Sequence, residues 1–218
     1  MNESVTLRDR FPGKGFDGMM IVGRQGQFFP HWELKNAIYH VSFHLEDSLP
    51  KSLAKKIKNE RIQMEESVLN AKGNISPFDI YLIKKYYSKK MEGYFDNGYG
   101  SCIFRDNENA QIMQNVIMNG NGVEYDLYAW CIMPNHVHLM FSLLGEYVLS
   151  KVVATWKSCS AHYLNKRMNT KGRLWNVDYF NRIIRDGDDY SRTKEYIWRN
   201  PEKAGLHDWP WRWMLQDL

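Results

Sequence analysis

Two histidines separated by one residue are the first feature of this chain that could perform chemistry. His136 and His138 lie in the stretch 128–141, where alternation with a period of two predicts two strands around a turn at Pro134 and Asn135. Side chains two residues apart on a strand leave the same face, so the two imidazoles are expected side by side. Neutral imidazole is a good ligand for a divalent metal, and this pair would supply half of such a site.

The same His-x-His pattern also has an ordinary structural explanation. On an alternating strand of an antiparallel sheet, such residues usually belong to the row that faces solvent. In the first strand of the pair, Tyr128, Trp130 and Ile132 are predicted to share one face. Taken alone, the two histidines therefore leave both metal binding and a polar sheet face open.

A tyrosine and an asparagine near the end of the chain could supply the other half of the site. Tyr196 and Asn200 are four residues apart in a helix predicted over 188–200, which Pro201 ends, so their side chains should share one face. The asparagine carbonyl oxygen suits a hard cation such as Mg²⁺ or Mn²⁺, and the tyrosine hydroxyl could act as a nucleophile. If this helix packs over the histidines, the set would bind a cation with positions left open for a phosphate.

The elements that must position these residues predict an α+β fold. Alternation over 37–45 predicts a first core strand, helical periodicity over 106–119 and 146–168 predicts two helices, and 180–185 predicts a further strand. The resulting order is strand, helices, strand, strand, helix, strand and helix. This order is typical of a ferredoxin-like sandwich, in which an antiparallel β-sheet is backed by helices.

Two further histidines lie on the predicted first core strand. His40 and His44 face away from the apolar row of that strand. They could approach the metal, but a polar sheet face explains them equally well. The predicted site therefore does not include them.

Two segments are predicted to be additions to the sandwich. Residues 1–35 contain many glycines and prolines and predict an extended N-terminal arm without regular structure. Residues 51–95 show two stretches of helical periodicity around a break, which predicts a helical hairpin inserted after the first core strand. With 218 residues the chain can bury one good core, so a single domain over 1–218 is expected.

The positive charge of the chain is concentrated in its last third. The net charge is +4, yet residues 1–150 contain 16 Lys or Arg against 17 Asp or Glu, whereas residues 151–218 contain 13 against 8. Aromatic residues interleaved with these charges suit stacking on exposed bases, so a nucleic acid is the expected partner, although core aromatics on a solvated charged surface would give the same pattern. The predicted DNA contacts are Lys151, Lys157, Arg173, Arg185 and Arg199.

Neither a membrane span nor a secretion signal is expected. No apolar run approaches the roughly 20 residues needed to cross a bilayer, and the first residues lack the apolar centre of a signal peptide. The 3 cysteines are widely spaced and form no CxxC pair, which fits reduced thiols. We therefore expect a cytoplasmic protein.

Three segments of the chain together form an ordered combination of motifs. These are MPNHVHLMF, LWNVDYFNRIIRD and YIWRNPEKAGL followed by WPW. They resemble the single-tyrosine HUH transposases, and within that family the branch of REP-associated tyrosine transposases. The resemblance covers the strand at 37–45 and about 98–213, but neither the N-terminal arm nor the helical insertion.

The resemblance implies a reaction and its residues. Tyr196 would be the catalytic tyrosine, cleaving single-stranded DNA to leave a 5′-phosphotyrosine and a free 3′-OH. His136, His138 and Asn200 would bind Mg²⁺ or Mn²⁺. The insertion-sequence branch more often has Gln at the position of Asn200, and either amide supplies an oxygen. A hairpin formed by a palindromic element would be the DNA that is recognised.

A second class of function is open from the sequence. The same sandwich occurs in non-catalytic nucleic-acid-binding modules that stack bases on strand aromatics, where Tyr128 and Trp130 could serve. The glycine-containing aromatic pattern of those modules is absent, and they need neither paired histidines nor a Tyr-x-x-x-Asn sequence. A monomer and a homodimer, in which Tyr196 would serve the histidines of the other copy, are also both compatible with the sequence.

Overall fold

Strands and helices fill most of residues 22–25 and 30–216, which are the residues that the computed structural model describes. The strands are β1 (Val22–Gln25), β2 (Pro30–Glu33), β3 (Ile38–His44), β4 (Tyr125–Ile132), β5 (His136–Leu143), β6 (Phe180–Ile183) and β7 (Arg212–Met214). The last five form one antiparallel sheet in the order β6-β3-β5-β4-β7. This arrangement confirms the predicted antiparallel α+β sandwich, to which β7 adds an edge strand that the sequence did not predict.

Helices lie on both faces of this sheet. They are α1 (Lys51–Lys72), α2 (Pro77–Phe95), α3 (Asn107–Asn119), α4 (Leu149–Met168), α5 (Gly187–Trp198) and α6 (Asn200–Lys203). The first two follow β3, where a helical hairpin was predicted. None of the described helices combines the length and apolar composition needed to span a bilayer.

The two faces of the sheet carry different side chains. Val137, Leu139 and Phe141 of β5 point into the larger core, together with apolar residues of α3 and α4. His136 and His138 alternate with them and therefore lie on the opposite face, which α5 contacts. All five side chains are buried. The histidines are consequently not a solvent-facing row, because helices cover both faces of the strand.

A β-bulge in β4 changes the face on which Tyr128 lies. The pairing of β4 with β5 shifts between Leu127 and Ala129. Tyr128 packs with Ala129 on the α5 side, whereas Trp130 and Ile132 belong to the larger core. The prediction that Tyr128 shares a face with those two residues is wrong, because the extra residue of a bulge shifts the alternation by one position.

The helix that carries Tyr196 ends earlier than predicted. α5 ends at Trp198 and Asn200 is the first residue of α6, so the prediction of one helix over 188–200 is wrong at its C-terminal end. Pro201 has no N–H group and cannot donate to the carbonyl oxygen of residue 197, which interrupts the α-helical hydrogen bonds at this point. The two helices follow each other with only residue 199 between them.

The described part of the N-terminal segment contains regular structure. β1 and β2 form a separate two-stranded antiparallel sheet, and β2 lies beside β6. The prediction of no regular structure over 1–35 is therefore wrong for residues 22–25 and 30–33, since backbone pairing satisfies their hydrogen bonds without help from side chains. Residues 34–35 contain neither strand nor helix, as predicted, and over residues 1–21 and 26–29 the prediction lies outside the described residues.

Candidate active site

Strands β3 and β5 bring histidines together on one face of the sheet. In their antiparallel register His136 is opposite His44, and His138 is opposite Ser42. The ring centroids of His136 and His138 are 4.8 Å apart, as expected for neighbours on one face. His40 stacks on His138 with centroids 5.4 Å apart. The site therefore includes two histidines of β3 that sequence reasoning left out, since a single sequence does not contain the register between strands.

His44 has a structural role at the edge of this face. Its Nδ1 atom lies 2.7 Å from the hydroxyl oxygen of Ser48, which in turn donates to the carbonyl oxygen of Leu45 at 2.7 Å. Because that hydroxyl hydrogen is already used, His44 Nδ1 donates to the hydroxyl oxygen. The His44 ring also stacks on Phe95 of α2, with centroids 4.0 Å apart. His44 thus links β3 to the helical hairpin.

Burial keeps the imidazoles of this face neutral. It lowers the pKa of His138 from 6.5 to about 3, with a smaller contribution from the nearby ammonium of Lys203. Burial also lowers the pKa of His136 and of His40 well below 6.5, and the pKa of His44 to about 4. At pH 7 each ring is therefore uncharged and has one nitrogen with a free lone pair.

Two members of the predicted ligand set have buried polar atoms without hydrogen-bond partners. Among the described residues, His138 Nε2 and both polar side-chain atoms of Asn200 have no partner. Asn200 is 0% exposed, and each buried unpaired group costs about 1–3 kcal/mol. An imidazole nitrogen and an amide oxygen are donors that a divalent cation accepts. The side chains present therefore fit the predicted ligand set of His136, His138 and Asn200.

Acidic side chains are not part of the predicted ligand set. Within residues 30–216, no group of three or more His, Cys, Asp or Glu side chains is arranged as a metal site. The predicted set differs from such a group because it consists of two histidines and an amide. Asp96 Oδ1 lies 3.6 Å from His136 Nε2, beyond hydrogen-bonding distance. Burial raises the pKa of the Asp96 carboxyl, and the ammonium of Lys203 partly offsets that effect. The carboxylate therefore lies at the border of the site.

Tyr196 lies against the histidines from the side of α5. Its ring centroid is 5.7 Å from that of His138 and 5.9 Å from that of His40, edge-on in both cases. The ammonium nitrogen of Lys203 lies 4.1 Å from the centre of the Tyr196 ring. One chain thus brings the predicted nucleophile next to one of the predicted metal ligands and adds a cation that the sequence prediction did not include.

The predicted DNA contacts on and after α4 have two kinds of surroundings. Lys151 and Arg173 are exposed. Lys157 is half-buried, and its ammonium donates to the backbone carbonyls of Val177 at 3.0 Å and Asp178 at 3.3 Å. Burial lowers the pKa of Lys157 from 10.5 to about 8. Lys151 and Arg173 are therefore better placed to meet a phosphate than Lys157.

The two predicted contacts near α5 both form ion pairs. Arg185 Nε lies 3.3 Å from Asp189 Oδ2, and Asp189 also accepts from Arg182 at 2.9 Å. Arg199 pairs with Glu195 at 2.9 Å, and both side chains are largely exposed. A phosphate would compete with these carboxylates for the arginines. Contact of all five basic residues with DNA stays a prediction.

Part of this chain is similar in sequence to a known protein family and to two proteins of known name. Residues 99–200 match the model of the family described as "Transposase IS200 like". A "Putative REP-associated tyrosine transposase" of Haemophilus influenzae is 25% identical over 108 residues, covering 43% of this chain and 61% of the relative. A "REP-associated tyrosine transposase" of Escherichia coli is 25% identical over 99 residues, covering 43% of this chain and 57% of the relative. The chain thus spans about three fifths of the length of these curated relatives.

Two solved structures are similar to this chain in part. One is described as "Structure of the REP associates tyrosine transposase bound to a REP hairpin", with a TM-score of 0.45, 15% identity, and coverage of 84% of this chain and 79% of that chain. The other is a putative transposase from Deinococcus radiodurans, with a TM-score of 0.33, 14% identity, and coverage of 81% and 97%.

The family match covers residues 99–200, a little under half of the 218-residue chain. Over that part the chain is similar to the IS200-like transposases. It is also similar to the REP-associated tyrosine transposases, as the motifs in the sequence indicated.

Proposed function

We propose that this chain is a divalent-metal-dependent endonuclease and strand transferase that cleaves single-stranded DNA through Tyr196. The observation that carries the proposal is the position of the Tyr196 ring, which contacts the rings of His138 and His40. A phenol beside neutral imidazoles, one of which has an unpaired buried nitrogen, suits a nucleophile next to a metal site.

Tyr196 would perform the covalent step. Its hydroxyl oxygen forms a bond to phosphorus while the bond between phosphorus and the 3′ oxygen breaks, which leaves a 5′-phosphotyrosine. The 3′ oxygen departs with the electron pair and takes a proton to become a 3′-OH, and the phenol proton passes to solvent. The ordinary pKa of a phenol is about 10. The ammonium of Lys203 over the ring favours the phenolate and so assists the attack.

His136, His138 and Asn200 are the residues that would bind Mg²⁺ or Mn²⁺. The chemistry that such a cation supplies is polarisation of a non-bridging phosphate oxygen. The contribution of the protein is to keep both imidazoles neutral through burial and to leave the asparagine amide without a competing partner. Either cation accepts this mixture of nitrogen and oxygen donors.

The proposed substrate is single-stranded DNA folded into a hairpin. The names of these relatives associate them with REP elements. In this chain, the exposed cations Lys151 and Arg173 offer charge to a phosphate backbone. We infer that repeat DNA able to form hairpins is the substrate and that these two residues help to bind it.

The alternative of a non-catalytic nucleic-acid-binding module has less support. Such a module would stack bases on Tyr128 and Trp130, but these side chains are only 8% and 4% exposed. Tyr128 packs edge-on against Tyr190 of α5, with ring centroids 5.6 Å apart. A base cannot reach the Tyr128 ring unless α5 moves away from the sheet, and Trp130 is buried in the larger core on the opposite face.

A search for a covalent adduct tests the proposal. The protein is incubated with Mn²⁺ and labelled DNA hairpins taken from the sequence that flanks its own gene, and denaturing gels show any DNA attached to protein. We expect an adduct with the unmodified protein and with Tyr163→Phe, a control on the exposed face of α4, and none with Tyr196→Phe. An adduct with Tyr196→Phe would refute the assignment, and binding without any adduct would favour the non-catalytic alternative.

A further inference from the structure

Asn135, directly before His136, uses every hydrogen-bonding group of its side chain. Its amide nitrogen donates to the backbone carbonyl of Tyr99 at 2.9 Å and to that of Phe95 at 3.2 Å. Its amide oxygen lies 2.7 Å from His136 Nδ1. The residue is 1% exposed, and its backbone carbonyl accepts from the N–H of Leu45 at 2.9 Å. Asn135 is thus both buried and fully paired.

These partners determine the orientation of the Asn135 amide. Carbonyl oxygens only accept, so the side-chain atom that contacts Phe95 and Tyr99 must be the NH₂ group. The other side-chain atom is then the amide oxygen, which also only accepts. His136 Nδ1 must therefore carry a hydrogen. In a neutral imidazole this leaves Nε2 of His136 with the free lone pair.

His138 has no equivalent determinant of its tautomer. Its Nδ1 atom lies 3.2 Å from His40 Nε2, and either nitrogen could be the donor in that contact. The tautomer of His136, in contrast, is imposed by an amide that two backbone carbonyls hold in place. The carbonyls belong to Phe95, the last residue of α2, and to Tyr99 in the loop that follows.

We propose that Asn135 is a positioning residue, which holds His136 in its Nδ1–H tautomer so that Nε2 presents a lone pair to a divalent cation. Because its NH₂ group is bound to the end of α2, the position of the helical hairpin is coupled to the orientation of this ligand. The cation itself rests on the proposed function, whereas the tautomer follows from the hydrogen bonds alone. Outer hydrogen-bond partners of this kind typically change metal affinity by about 10–100-fold.

The tautomer can be measured without metal or DNA. Metal-free protein labelled with ¹⁵N in its histidines gives a long-range ¹H–¹⁵N correlation spectrum, in which the protonated ring nitrogen is identified directly. The variant His136→Gln assigns the signal. We expect His136 to carry its hydrogen on Nδ1. A hydrogen on Nε2 in the unmodified protein would overturn the proposal, and this measurement requires no substitution at Asn135.

A pair of variants then tests the role of the amide. In Asn135→Ala we expect loss of the preference for Nδ1–H and Mn²⁺ binding weaker by about 10–100-fold, measured by calorimetry. Asn165→Ala is the control, since Asn165 lies outside the site. The substitution removes an amide that donates to the carbonyl oxygen of Gly172 at 3.0 Å. It should change neither quantity.

The outcomes separate this inference from the proposed function. A folded Asn135→Ala variant that keeps both the tautomer and the Mn²⁺ affinity would refute the positioning role. If the unmodified protein binds no Mn²⁺ at all, the proposed metal dependence fails. In that case the spectrum with Nδ1–H would still support the control of the His136 tautomer by Asn135, and a spectrum with Nε2–H would exclude it.

Discussion

The ring of Tyr196 lies edge-on to the ring of His138, with their centroids 5.7 Å apart. This contact joins α5 to the central strand β5 and places a phenol beside a neutral imidazole whose Nε2 atom has no partner among the described residues. The contact requires no second copy of the chain. The predictions below follow from this relationship and from the groups around it.

Removal of a histidine ligand should abolish metal binding. His138→Ala deletes the unpaired Nε2 atom, so we expect loss of detectable Mn²⁺ binding in calorimetry and of adduct formation with hairpin DNA. His136→Ala should behave in the same way, and EDTA should suppress cleavage that Mn²⁺ or Mg²⁺ then restores. His162→Ala, on an exposed position of α4, is the control and should bind Mn²⁺ normally. Undiminished cleavage in EDTA would contradict the metal assignment.

Replacement of Asn200 should stabilise the metal-free fold while weakening metal binding. Asn200→Leu removes two buried polar atoms that lack partners, so in EDTA we expect the free energy of unfolding to rise by about 1–2 kcal/mol. The same variant should lose Mn²⁺ affinity because the amide oxygen is gone. Urea unfolding and calorimetry measure the two effects.

A paired asparagine provides the control for that experiment. Asn109 is also buried, but its amide donates to the carbonyl of Ile103 at 2.9 Å and accepts from Arg167 at 2.8 Å. Asn109→Leu should therefore lower the free energy of unfolding by about 1–3 kcal/mol. If Asn200→Leu destabilises the metal-free protein as much as Asn109→Leu does, the Asn200 amide is not an unpaired group.

The ammonium of Lys203 should favour the reactive form of Tyr196. It lies 4.1 Å from the centre of that ring, and a nearby positive charge stabilises a phenolate. For Lys203→Met we expect the rising limb of the pH–rate profile of cleavage to move to higher pH. Lys203→Arg keeps the charge and should restore most of the profile. An unchanged profile for Lys203→Met would show that Lys203 does not act on Tyr196.

The buried imidazoles should make the metal-free protein sensitive to acid. The pKa is about 3 for His138 and about 4 for His44, against 6.5 in the unfolded chain. Below pH 6.5 the unfolded chain therefore binds protons that the folded protein does not, and stability is lost as the pH falls toward about 4. Each such imidazole contributes about 1.4 kcal/mol per pH unit in that window.

Urea unfolding in EDTA at pH 7 and at pH 5 measures this dependence. We expect a clearly smaller free energy of unfolding at pH 5. The exposed His162 provides the control, because His162→Ala should leave the difference between the two pH values unchanged. Equal stability at both pH values would show that the buried histidines of β3 and β5 bind protons as readily in the folded protein as in the unfolded chain.

Local patterns predicted most of the elements, since they depend only on neighbours in the sequence. The period of two over β5 predicted that His136 and His138 share a face, and helical spacing predicted the hairpin of α1 and α2. The same reasoning failed where geometry deviates from a regular repeat. The bulge in β4 moved Tyr128 to the other face, and the missing N–H of Pro201 divided the last helix before Asn200.

The sequence by itself therefore determined which reactive groups are present: two imidazoles on one strand, a tyrosine, and an amide four residues after that tyrosine. Only the tertiary structure decided which groups surround them. The register between β3 and β5 brings His40 to His138, and the end of α2 holds the amide of Asn135 against His136. These contacts join residues distant in the chain, and the packing of the whole domain, which no local repeat contains, sets their geometry.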